Sequence, residues 1–475
     1  MKKHSISYIK IILFVIPFIL GVIGFAVLDN VPVQDALFNS VLMYFLNYGD
    51  TPPNIALEIA RWTAPLATVG GIVIVFDRLS LSLKHKLQYL RGNITAVYGD
   101  RANKDTLLSQ LGNHGIDCED ELVPAHRYIL IGSEKENLDF YTHYHRELSN
   151  IPVYIKCSTL RAQTMADSNL RLFSSEELAS RIFWKKQFLY TTFLDNNKKL
   201  DIVFVGFGRL GEELLTWGLQ NLVYSPDQQI HYHIFGDGGN FLSMHPYLNE
   251  ISDSITFYSE KWFEKTEIIE KADLTVILQQ EEQLSLLYNM IGMIHNKTFH
   301  VFADQPDYLQ MMDDNKRLNI FDWKREALKL DNILDNVLLK RAQNINLRYA
   351  HIYCDVEETP ENAVTEWNKL NTFTRYSNIS AADYQEVRIE MLKYMGYSKD
   401  STVLKAEDMD LLACLEYERW CRYHYLNNWH YGIPSNGKNK DFALRIHTDL
   451  VPYSSLTEED KEKDKENIRI LLSIQ

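Results

Sequence analysis

Apolar positions change their spacing along the chain. Near the start they run unbroken: Ile11–Leu28 carries no charge, and neither does Trp62–Phe76. With Ile6–Ile9 added to the first run and Ile55–Ala60 to the second, each reaches about the 20 residues that a membrane crossing needs. From residue 94 the pattern becomes short β-branched runs, each followed by a helical period. Ile94–Tyr98, Arg127–Ile131, Val153–Lys156, Asp201–Val205, His231–Phe235, Leu274–Leu278 and Thr298–Ala303 read as strands. This alternation predicts parallel sheets with helices on both faces. Beyond residue 340 aromatics become dense and strands fade. Asp408–Tyr425, with Leu411, Leu412, Leu415, Trp420 and Tyr423, reads as a helix, as does the charged tail Glu458–Leu472. The expected organisation is a membrane helical hairpin (1–82), two α/β units (83–197 and 198–338) and a mostly helical C-terminal unit (339–475).

Basic residues orient the hairpin. Lys2, Lys3 and Lys10 precede the first run; Arg78, Lys84, Lys86 and Arg91 follow the second; between Asp29 and Ala60 there is no Lys or Arg. The bias predicts a multi-pass protein of the inner (plasma) membrane, in contact with lipid, with both termini cytoplasmic. No small-x-small cleavage site follows Leu28, so the first run reads as retained. The loop holds an apolar stretch, Ala36–Leu46, ending in Asn47-Tyr48-Gly49-Asp50. Helix, half-helix ending in Tyr-Gly-Asp, and helix resembles the pore module of two-helix potassium channels. The resemblance implies pore residues Leu46, Asn47, Tyr48, Gly49 and Asp50. The sequence departs from it at Phe45, Leu46 and Asn47, where a potassium filter has Thr-Val-Gly. An ordinary extracellular loop is the other reading.

The strand Asp201–Val205 runs into Gly206-x-Gly208-x-x-Gly211 and then a helical pattern. This is the context in which a dinucleotide fingerprint works: a tight turn, close backbone approach to phosphate, and close helix–strand packing. Asp237, 26 residues after Gly211, is placed to bind a ribose hydroxyl. The implied cofactor is NAD or another nucleotide; a purely structural dinucleotide fold is the alternative. The preceding unit has Gly99-Asp100-Arg101-Ala102 and Glu134-x-x-Asn137-Leu138, lacks the glycine fingerprint, and reads as too short for a full set of strands. The two units together are similar to RCK (TrkA-N) domains. Pore module, basic connector and tandem domains in this order resemble RCK-gated channels, which implies a homotetramer.

In the C-terminal unit, Glu418-x-Trp420, Trp429-x-Tyr431-Gly432 and Leu450-Val451-x-Tyr453-Ser454 stand in order. This series resembles the repeat domain of ryanodine receptors. A binding role there would use Trp420, Trp429 and Tyr431 as stacking faces, Arg375, Arg388, Arg419 and Arg422 for phosphates, and Glu418 and Asn378 as hydrogen-bonding groups. The plainer reading makes the tryptophans the core of a small helical domain.

The net charge of −14 argues against nucleic acid as partner. The five cysteines (118, 157, 354, 414 and 421) form no CxxC pair and read as buried thiols. No protease, hydrolase or P-loop motif occurs, so no catalytic residue is assigned and the chain reads as a non-enzyme. His231 and His233 share one strand face, but sequence offers no third ligand, and a half-buried strand edge suits them equally. The expected function is a ligand-gated channel or membrane-permeabilising effector sensing a nucleotide-type ligand, suited to bacterial defence. A pore-less membrane-anchored sensor is the alternative, and an NAD-dependent membrane-anchored enzyme a third.

Overall fold

The computed structural model describes residues 15–473 except 49–51, 120, 159–168, 304, 313–314, 335, 399–400, 402 and 436. The chain divides into two compact units, Met1–Ile94 and Thr95–Gln475.

In the first unit, helical turns over residues 15–28 pack with α1 (Val33–Met43) and α2 (Ile55–Leu90). Phe25, Ala36, Met43, Tyr44, Leu57, Ala60 and Ala64 form their core. The Asn54 side chain caps α2 at Leu57 N and donates to Gly24 O at 3.1 Å and Asp29 Oδ1 at 3.2 Å.

The membrane hairpin expected from the apolar runs is overturned. Among the described residues, no helix is long and apolar enough to cross a membrane. The uncharged part of α2 lies between Arg61 and Asp77 and contains Pro65. Trp62–Phe76 spans about 22 Å at the helical rise, short of the roughly 30 Å hydrocarbon core. The start of the first run, with Lys2, Lys3 and Lys10, lies outside the described residues, as do Gly49 and Asp50 of the pore-like loop. Leu46 is exposed, Asn47 follows it in the turn after α1, and the Tyr48 ring packs edge-on against Phe25, 5.5 Å between centroids. The multi-pass location and the channel module fall with the hairpin.

The second unit contains two parallel sheets. The first holds β1 (Thr95–Tyr98), β2 (Gly115–Asp117), β3 (Arg127–Leu130), β4 (Val153–Lys156) and β5 (Leu170–Phe173), in spatial order β2-β1-β3-β4-β5. A unit read as too short thus forms five strands, with β2 (three residues, one buried apolar) and β5 added to the three expected. α3 (Arg101–Leu111) starts at Asp100, whose carboxylate caps Asn103 N. α4 (Glu134–His143) starts at a capping box of Ser133 and Glu136. Asn137 is fully buried: its Oδ1 accepts from Gly132 N at 2.9 Å, and its Nδ2 donates to Gly132 O at 3.1 Å and Lys156 O at 2.9 Å. Glu134 accepts from Ser158 N. The Glu-x-x-Asn step therefore ties the carboxyl ends of β3 and β4 together. After α5 (Ser175–Lys186), the second sheet begins.

That sheet holds β6 (Lys199–Val205), β7 (Gln229–Phe235), β8 (Ser254–Tyr258), β9 (Leu274–Ile277), β10 (Phe299–Phe302) and β11 (Leu318–Phe321). The spatial order is β8-β7-β6-β9-β10-β11. Numbered within the sheet this is 3-2-1-4-5-6, the Rossmann order. α6 (Gly208–Asn221) follows β6 and α7 (Gln283–Met293) follows β9. Both sheets are Rossmann-like α/β structures, and a helical C-terminal region follows.

In that region α8 (Asn336–Cys354), α9 (Pro360–Lys369), α10 (Thr372–Tyr394), α11 (Ala406–Leu426) and α12 (Glu458–Ser473) pack together, and a three-stranded sheet (His430–Tyr431, Lys440–Asp441, Ile446–His447) follows α11. One core runs from β6 and α6 through Tyr384 and Met391 of α10 to Leu412 and Leu415 of α11 and Ile468 of α12.

Candidate functional site

The site predicted at Gly206 forms at the point where strand order reverses. β6 is paired on one side with β7 and on the other with β9, so their carboxyl ends diverge into a crevice. In open parallel sheets ligands bind there. Gly206 adopts φ +88°, and a Cβ on it would lie 2.5 Å from Gln279 N at the end of β9. Only glycine lets the chain leave β6 at this angle. Gly208, the first residue of α6, adopts φ +58° with nothing within 4 Å of its Cβ position. The space above the helix N-terminus is thus open. Phe207 supplies no side-chain cap, and backbone N–H groups of a first turn attract anions. Gly211 sits against the Phe207 ring, where a Cβ would be 2.6 Å away. Arg209 is turned along α6 toward Glu212 and Glu213, at 3.5 and 3.1 Å.

Asp237 lies two residues beyond β7. It is exposed, and its Oδ1 accepts from Gly239 N at 2.9 Å. A cavity of about 570 Å³ joins Gly206, Asp237, Gly239, Leu242, Phe257 and Gln279. Its apolar wall is held by Phe257, packed edge-on against Phe207 at 5.0 Å. A second cavity, of about 560 Å³, lies over the ends of β9 and β10 and is lined by Gln280, Glu282, Gln283, Ser285 and Gln305. Gln283 Nε2 donates to Gln279 O and Phe302 O, fixing the amide-rich rim. These glutamines carry no sequence motif, and only the strand order reveals them as rim residues. Of the four predicted residues, Gly206 and Asp237 line the first cavity, Gly208 opens α6 beside Gly206, and Gly211 packs on Phe207.

The C-terminal candidates are dispersed. Arg388 and Arg419 both bond Glu416 inside the protein, at 2.6 and 2.7 Å, with guanidinium groups almost fully buried. Their charges are spent on that carboxylate rather than presented at an open surface. Burial raises the Glu416 carboxyl, but Arg419 and Arg388 outweigh it and hold the group below the usual range. Arg422 makes a two-pronged contact with Asp253, just before β8, and donates to Leu219 O on α6 at 2.9 Å. Asp383 accepts from Arg181, Lys185 and Asn221. Burial opposes its ionisation, yet Arg181 and Lys185 hold it at about 2. Trp420 and Trp429 belong to a small core with Tyr417, Cys421 and Leu450. Trp429 stacks on Phe373 at 4.9 Å. Burial raises the Glu418 carboxyl. Tyr431 is exposed, and Asn378 donates to Thr374 O one turn back on α10. Arg375 lines a cavity of about 400 Å³ with Arg171, Trp367 and Tyr376, its guanidinium donating to Trp367 O and Asn368 O.

No protein-family model matches the chain, and no curated protein or solved structure matches it. The resemblance to RCK-gated channels ends here: the membrane module it needs is not supported among the described residues. What remains is the parallel α/β architecture itself.

Proposed function

We propose that the chain is a nucleotide-responsive regulatory protein, with a phosphate-bearing nucleotide, NAD or a relative, bound at the carboxyl ends of β6, β7 and β9. The observation that carries this reading is the open N-terminus of α6, reached through Gly206 at the strand-order reversal. The phosphates lie against the first turn of α6. A ribose diol faces Asp237, and a base occupies the cavity walled by Phe257 and Leu242.

The regulatory part rests on the shared core. α6 begins two residues after Gly206 in the cavity wall, while its Leu214 and Leu215 pack in the core that reaches α10, α11 and α12. Arg422 of α11 holds the last turn of α6 at Leu219 O. A ligand that favours one position of α6 therefore biases the helices behind it, provided it binds the two positions with different affinity.

The test is calorimetric titration of the full chain with NAD⁺, NADH, ADP-ribose, ATP and inorganic pyrophosphate. Asp237→Ala weakens ribose-containing ligands about 10- to 100-fold, the scale of a charged hydrogen bond, and leaves pyrophosphate unaltered. Equal loss for pyrophosphate, or no binding by any member, refutes the reading.

A further inference from the structure

The polar trio on the second sheet has no part in the nucleotide crevice. Asp201 of β6 is paired in register with His231 of β7, and Val203 with His233. Alternation along a strand puts Asp201, His231 and His233 on one face. Further along, Val203, Val205 and Phe235 on that face are covered, in a core with Ile269 and Ile277. One ligand atom from each of Asp201, His231 and His233 lies within 4.8 Å of the other two. His233 Nε2 is 3.0 Å from Asp201 Oδ1, and the two imidazole rings are 3.8 Å apart.

We propose that Asp201, His231 and His233 bind one borderline divalent cation, with zinc the best match and water completing the coordination. Two imidazoles and a carboxylate are the donor set for such an ion; calcium and magnesium call for oxygen ligands throughout. Ligand atoms about 2.0–2.2 Å from a tetrahedral zinc lie about 3.4 Å apart, so the trio needs only small side-chain adjustments. The site also has the outer support typical of ligating histidines. His233 Nδ1 meets Tyr258 Oη at 2.8 Å, which turns Nε2 toward Asp201, and His231 Nε2 meets Thr256 Oγ1 at 2.8 Å. The His233 side chain is 11% exposed and that of Asp201 51%, so the ion has an entry path. Asp201 precedes Val205 by four residues, about 13 Å along the strand, which separates this ion from the nucleotide. Its effect is to clamp β6 to β7.

The experiment titrates metal-freed full-length protein with Co²⁺ and then Zn²⁺, following visible cobalt absorption. The wild type takes up one Co²⁺ per chain with the intense bands of a low-coordinate site, and Zn²⁺ displaces it. His233→Gln and Asp201→Asn abolish the bands, and Tyr258→Phe weakens binding about 10- to 100-fold. If His233→Gln fails to fold, Asp201→Asn, at a half-exposed position, gives the same readout. Uptake with unchanged affinity and spectrum in Asp201→Asn overturns the proposal. So does an absence of bands in the wild type.

Discussion

Replacing Asp464 by asparagine removes a titrating carboxyl with little change of shape. Asp464 lies on α12, and burial is the main cause that raises its carboxyl to about 8 from 3.8; Glu416 and Asp460 add to the rise and Arg419 opposes it. A carboxyl raised on folding binds its proton more tightly in the native state. Stability is therefore full below the unfolded pKa and falls as pH climbs to the folded one. At about 1.4 kcal/mol per pH unit the interval sets a ceiling of about 6 kcal/mol. Asp464 is part-exposed, and solvent screening reduces the expected loss to about 2–3 kcal/mol. The asparagine side chain carries no such proton, so the Asp464→Asn variant escapes the loss. Urea unfolding of both proteins between pH 5 and pH 9 measures it, because groups common to both cancel in the difference. Part of the loss is already present at pH 5, above the unfolded pKa, so the variant's lead over the wild type grows by about 1.5–2 kcal/mol between pH 5 and pH 9. A difference that stays constant with pH, or that favours the wild type as pH rises, refutes the argument.

Three further outcomes follow from geometry. Arg422→Met leaves Asp253 buried without its guanidinium and costs about 3–5 kcal/mol in chemical unfolding; a loss under 1 kcal/mol would show that Asp253 finds another partner. Asn137→Ala removes the three hydrogen bonds that hold Gly132 and Lys156 beyond β3 and at the end of β4 and costs about 2–4 kcal/mol, read as earlier amide exchange in the first sheet. Gly206→Ala drives a Cβ into Gln279 N and lowers the melting temperature even without ligand, a shift absent if the β6–α6 turn can open.

Periodicity made most of the fold legible, and it did so where burial is two-sided. Val203, Phe204 and Val205 have no reason to cluster except a covered parallel strand. The glycine spacing marked the β6–α6 turn because Gly206 and Gly208 take positive φ and Gly211 lies against the Phe207 ring. The same logic misled in the first unit of the chain. Trp62–Phe76 is apolar enough to suggest a crossing, but Arg61, Pro65 and Asp77 limit its length. β2 and β5 went unread: Gly115-Ile116-Asp117 has one buried apolar residue and no periodic signal. The arginines of α10 and α11 resembled a phosphate site because sequence displays charge and conceals its partner. Glu416, Asp383 and Asp253 lie far along the chain from most of the cations they bind. Asp201 was hidden as a neighbour of His231 for the same reason, since only strand pairing brings them together.

The central claim, that α6 receives a nucleotide phosphate, is tested most directly at Gly208. Its Cβ position is empty and its φ is +58°, a region aspartate tolerates at a cost of roughly 1–2 kcal/mol. Gly208→Asp therefore folds and puts a carboxylate where the phosphate belongs. Titration of wild type and variant with the tightest-binding nucleotide, alongside their melting curves, decides the matter. Saturable binding by the wild type and at least a 100-fold loss in a folded Gly208→Asp are expected. Undiminished binding by that variant would contradict the claim.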